Sequence, residues 1–77
     1  MVQTTTSPTP EAVAELKKRV KKLNSKAGQM KMDLHDLAEG LPTDYEKLIE
    51  EATKTYEVFR QLAKLKRQLK AWEKQLS

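Results

Sequence analysis

An all-α fold, an antiparallel helical hairpin that dimerises into a four-helix bundle, is the architecture this 77-residue sequence predicts. Three observations carry that expectation: an unbroken 3-4 spacing of apolar residues through the first half, a Gly-Leu-Pro break at 40–42, and a second run of helical period after it. Each long amphipathic helix needs a partner for its apolar face, and a chain this short buries little when it stands alone.

Residues 1–9 are mostly Thr, Ser and Pro with almost nothing to bury, so a disordered N-terminal arm is expected there. The hairpin occupies 10–77. Thr9-Pro10-Glu11 is a helix start: an N-cap hydroxyl, a proline where the missing N–H costs nothing, and a carboxylate in the first turn. Val13, Leu16, Val20, Leu23, Ala27, Met30, Leu34 and Leu37 then alternate steps of 3 and 4 without a slip, the seam of a coiled-coil-like helix over about 10–39. Gly40 fits a left-handed C′ residue, Leu41 a fold-back contact, and Pro42 forbids continuation. The turn is 40–43.

Thr43-Asp44-Tyr45-Glu46 matches a capping box, which opens a second helix over about 44–76. Its apolar positions, Leu48, Ile49, Ala52, Tyr56, Phe59, Leu62, Ala63, Leu65, Leu69, Trp72 and Leu76, keep a helical period but change heptad frame near Phe59 to Leu65. Such drift implies a stripe wide enough for two neighbours. Tyr45 and Tyr56 read as bundle or turn packing.

Charge is segregated along the chain: residues 1–32 carry +5, residues 33–57 carry −6 and residues 58–77 carry +5. In a hairpin the acidic block gathers at the turn and both basic blocks at the open end. Two hairpins packed with turns at opposite ends place opposite charges together, whereas turns side by side repel, so a head-to-tail homodimer is expected.

No cysteine is present, which excludes disulfides and thiolate metal sites. The stretch MVQTTTSPTP lacks the charged and apolar regions of a signal peptide, and no apolar run approaches the ~18 residues of a membrane span, so a soluble cytoplasmic protein is expected. A glycine loop and a nucleophile beside a histidine are both missing, so the protein is not expected to be an enzyme.

The end of the first helix, KMDLHDLAEGLP, runs against electrostatic preference. Asp33, Asp36 and Glu39 crowd the helix C-terminus, where the macrodipole favours cations, and the single histidine, His35, sits among them. In the heptad frame His35, Asp36 and Glu39 all point away from the seam, and Met32 joins them on the outer face. One imidazole and two carboxylates, with His35 and Glu39 four residues apart on one helix, suit a divalent transition metal such as Ni, Zn or Fe. The bland reading is a solvated surface on which a protonated His35 offsets the carboxylates. The outward Met32 also points to dimers associating into a higher oligomer through this face.

KKRVKK (Lys17 to Lys22) and KLKRQLK (Lys64 to Lys70) could instead track a phosphate backbone, as a nucleic-acid-binding regulator would. A soluble helix displays the same residues between its seam positions.

The block KMDLHDLAEGL, followed by Pro42, Tyr45 and ATKTYEVFRQLAKLKRQLK, resembles the small Rop-like proteins of bacterial nitrogen-fixation gene clusters, a family of unknown function. The similarity covers about residues 13–70. It implies a hairpin that dimerises into a four-helix bundle, an accessory role in nitrogen fixation with a nitrogenase cofactor-assembly protein as partner, and a metal held by the HxxxE pair, which falls on His35 and Glu39. Gly40 departs from the family pattern, standing where many relatives carry an acidic residue. Rop itself recognises RNA, which keeps RNA binding as the alternative.

Overall fold

The computed structural model describes residues 8–76, and the expected arm therefore lies, over residues 1–7, outside the described residues. Helix α1 spans Pro10–Glu39 and helix α2 spans Leu48–Leu76, joined by a turn that includes one 3-10 turn at Tyr45–Lys47. The two helices fold back on each other as an antiparallel hairpin, a slab of 51 × 23 × 15 Å.

Helix α1 starts as its cap requires. The Thr9 side-chain oxygen accepts the Ala12 N–H at 3.0 Å, Pro10 fills the first turn beside Glu11, and Pro8 just ahead of the cap is buried. All eight seam residues from Val13 to Leu37 are buried or half-buried, with Val13, Leu16 and Ala27 the most enclosed. The 3-4 spacing thus translates directly into one packed stripe.

The reversal departs from expectation in two places. Gly40 takes φ −85° and ψ −1°, a right-handed conformation, and its N–H donates to the Asp36 and Leu37 carbonyls at 3.2 Å each. Leu41, Thr43, Tyr45 and Lys47 then donate to the carbonyls three residues back, at 3.0–3.3 Å. The chain leaves α1 by tightening its right-handed turns rather than by reversing hand at glycine. The reversal of hand comes at Asp44, with φ 58° and ψ 28°, a residue type that tolerates the left-handed region. The capping box expected with Thr43 as N-cap and Glu46 reaching back to its amide is replaced: the Thr43 N–H is taken by the Gly40 carbonyl at 3.0 Å, Asp44 precedes the 3-10 turn without a side-chain cap bond, and α-helical geometry begins at Leu48, past the expected start at 44.

The frame change in α2 is the superposition of two stripes. Leu48, Glu51, Thr55, Val58, Leu62, Leu65, Leu69 and Trp72 are buried or half-buried, a regular 3-4 seam that faces α1. Two of its members are polar: Thr55 is accommodated because its hydroxyl donates to the Glu51 carbonyl at 2.8 Å, within the helix. Tyr45, Ile49, Tyr56 and Phe59 face solvent in the single chain, with Ile49 81% exposed, so neither tyrosine packs in the hairpin. Across the open end, Lys17 and Glu73 pair at 3.2 Å. No described helix is long and apolar enough to cross a membrane.

Candidate functional site

The last turn of α1 carries no basic residue, and Asp36 and Glu39 stand there against the helix dipole. His35 lies between them. Its Nε2 is 3.9 Å from Glu39 Oε2, one turn along the helix, and its Nδ1 is 4.0 Å from Asp36 Oδ1. All three side chains are exposed, on the side of α1 remote from α2. Asp33 stands apart from the trio: its carboxylate accepts the Gln29 amide N–H at 3.0 Å. Met32 is exposed nearby.

The two carboxylates address opposite nitrogens of one ring, and that decides what the trio can do. An ion on Nε2 can share Glu39, because donors ~2.0–2.2 Å from a metal lie within roughly 3.5 Å of each other and a small side-chain rotation closes the 3.9 Å gap. Asp36 is on the wrong side of the imidazole to ligate the same ion. It lies instead beside the other ring nitrogen, 4.0 Å from Nδ1 and beyond hydrogen-bond distance, where outer contacts to a metal-ligating histidine are made. The donor set fits an open two-ligand site, with remaining positions left to water or a second chain. Among the described residues no three His, Cys, Asp or Glu side chains converge on one point. The same distances also suit an imidazolium flanked by two carboxylates.

The basic runs divide between two surfaces. Lys18, Lys21 and Lys22 line a shallow depression with Ser25 on the outside of α1, while Lys17 turns toward Glu73 of α2. Arg19, Lys22 and Lys26 rim a groove of about 410 Å³ between the helices, with Leu23 and Leu65 on its floor and Gln61 opposite. Sequence reading missed this groove because it treats a charge run as one face. Positions three and four apart, 19, 22 and 26, carry the signal that separates it from the rest of the run. Where the acidic segment meets the second basic one, Arg60 is held by Glu57 at 2.9 and 3.2 Å, and this bond pushes its already high pKa further up.

Similarity to known proteins points one way. The Rop-like family profile matches residues 11–74. The UPF0437 protein asl1434 of Nostoc sp. is 61% identical over 62 residues, covering 80% of this chain and 87% of the relative. A relative from Frankia alni, 46% identical over 52 residues and covering 68% of this chain and 63% of its own length, is described as a UPF0437 protein in the nifX-nifW intergenic region. The crystal structure of a DUF683-family protein from the cyanobacterium Cyanothece 51142 shares 76% identity, covers 87% of this chain and 94% of its own, and superposes with a TM-score of 0.86.

Proposed function

The chain belongs to the Rop-like family, and from that premise we propose that it is a non-enzymatic, cytoplasmic accessory protein of nitrogen fixation that carries a divalent transition metal at His35 and Glu39. The observation behind the metal is the 3.9 Å approach of His35 Nε2 to Glu39 Oε2 at a helix end whose last turn holds no basic residue. A bound ion supplies the positive charge this helix end favours and leaves coordination positions open to an incoming ligand. Asp36, 4.0 Å from Nδ1, would serve as the outer contact on the other ring nitrogen once it closes to hydrogen-bond distance. An exposed, incompletely closed site suits handing a metal to another protein, and the nifX-nifW setting of the Frankia relative supports a nitrogenase cofactor-assembly protein as the recipient. The protein works as a homodimer of hairpins in this reading. Nucleic-acid binding has only the basic runs behind it, and those residues are divided between the groove, the outer face and the pair with Glu73.

Calorimetric titration of Ni²⁺ and Zn²⁺ into the wild type, His35→Ala, Glu39→Gln and Asp36→Asn tests this. The expected result is measurable binding by the wild type, loss in His35→Ala and Glu39→Gln, and weakening of about tenfold or more in Asp36→Asn, the usual size of an outer-contact effect. Equal binding by the wild type and His35→Ala would overturn the site.

A further inference from the structure

The face of the hairpin that holds the groove is basic on its rim and apolar along its floor. Arg19, Lys22 and Lys26 each precede a seam residue of α1 by one, and Gln61, Lys64 and Gln68 each precede a seam residue of α2 by one. In an antiparallel pair those positions share one face, whereas the exposed Ile49, Tyr56 and Phe59 each follow a seam residue by one and lie on the other. Leu23 and Leu65 belong to the seams, yet both are only half-buried, so apolar surface remains open at the bottom of the groove. Past Arg19 the groove continues as two further depressions, the last of them reaching Ala12 and Trp72. From Ala12 to Lys26 it runs about 21 Å, some four turns of helix.

The cations of this groove are unanswered. Lys17, Lys47, Lys54 and Arg60 each pair with a carboxylate of the hairpin, but among the described residues none comes within ion-pair distance of Arg19, Lys22, Lys26 or Lys64. The one carboxylate along the groove, Glu15, stands at its Trp72 end. Positions 19, 22 and 26 repeat the 3-4 spacing at which a helix packed alongside presents its own side chains.

We propose that this groove receives an acidic amphipathic helix of another protein, with its apolar side chains on Leu23 and Leu65 and its carboxylates against Arg19, Lys22, Lys26 and Lys64. Charge selects the sign of the partner, and the floor selects its class. A phosphate backbone meets the cations but has nothing to set on two leucines, whereas an amphipathic helix satisfies both. A second copy of this chain matches less well through the same face. Beyond Lys26 that face carries Gln29, Asp33 and Asp36 on α1 and Glu50, Lys54 and Glu57 on α2, all exposed and none apolar, so it offers the groove charge without a side chain for the floor.

The groove stands apart from the metal reading: His35 lies about 13 Å further along α1 than Lys26, and His35→Ala is expected to leave peptide binding unchanged. The probe is a fluorescein-labelled peptide of about 15 residues, leucine along one face and glutamate on both flanks, read by anisotropy. The wild type should bind it with a Kd below about 100 micromolar. An unlabelled peptide without tryptophan should shift the emission of Trp72, the single tryptophan, to shorter wavelength. Arg19→Glu/Lys22→Glu should weaken binding by about tenfold or more, with helical circular dichroism retained because both residues are exposed. Lys18→Glu/Lys21→Glu makes the same change of net charge on the outer face of α1 and should alter binding by no more than about twofold. A lysine-flanked version of the peptide should bind Arg19→Glu/Lys22→Glu more tightly than it binds the wild type, which shows that the reversed variant is folded and that charge sets the choice. Absence of peptide binding by the wild type overturns the proposal. So does equal binding of a polyglutamate of the same length, or equal loss in Lys18→Glu/Lys21→Glu, each of which marks a diffuse field in place of a groove. A structured RNA that displaces the peptide at physiological salt and loses its own binding in Arg19→Glu/Lys22→Glu assigns the groove to nucleic acid, and a wild-type oligomer that Arg19→Glu/Lys22→Glu dissociates assigns it to a copy of the chain; either result overturns it as well.

Discussion

Gly40 sits at a helix end in a conformation that any L-residue adopts, and a Cβ built on it would find only the Asp36 and Leu37 carbonyl oxygens, both at 3.7 Å. Gly40→Ala is therefore expected to raise stability by about 0.4–1 kcal/mol by restricting the unfolded chain, measured as a higher urea midpoint. A left-handed glycine would have given the opposite sign. The sequence pattern Glu-Gly-Leu-Pro looks like a left-handed cap, but which residue changes hand depends on how the carbonyls of Asp36, Leu37 and Ala38 are satisfied, and here successive tight turns use them. Thr9 behaves as its chemistry requires: Thr9→Ala removes the acceptor of the Ala12 N–H and should cost ~1 kcal/mol, seen as a lower midpoint with unchanged helix content in the native baseline. At the candidate site the residue types were legible, since His35, Asp36 and Glu39 follow from helix periodicity alone. What the periodicity could not show is that Asp36 and Glu39 approach different ring nitrogens, because that depends on the imidazole rotamer.

At the scale of elements, α1 was readable because every seam position is apolar, whereas α2 hides its seam behind two polar members. Glu51 and Thr55 complete the stripe against α1, and Thr55 is tolerated because its hydroxyl bonds to the Glu51 carbonyl. Hydrophobicity alone replaces them with the exposed Ile49 and Tyr56, which produces an apparent shift of frame. The centre of the real seam is Leu62, 4% exposed and opposite α1, so Leu62→Ala should destabilise the hairpin by about 2–5 kcal/mol, read from chemical denaturation. Phe59→Ala, made on the other stripe, should cost less in the hairpin and act on association instead. The contrast between the two variants separates the packed seam from the unpartnered one.

For the molecule as a whole, one slab of 51 × 23 × 15 Å keeps acidic and basic segments at opposite ends. Its interhelical ion pair, Lys17 with Glu73 at 3.2 Å, is half-exposed, and Lys17→Ala should shift stability by no more than ~1 kcal/mol, a difference that shrinks in 1 M salt. Charge segregation does little for a single hairpin, since its blocks lie at opposite ends. The sequence by itself determined the two helices, the antiparallel return and the outward His35 and Glu39, because a 3.6-residue period and a proline break are local properties of a chain. Only the tertiary structure decided that Asp44 rather than Gly40 changes hand, that Glu51 and Thr55 belong to the core stripe, and that Tyr45, Ile49, Tyr56 and Phe59 form a separate face. Those outcomes depend on where α1 lies around α2, and a helical wheel has no knowledge of its neighbour.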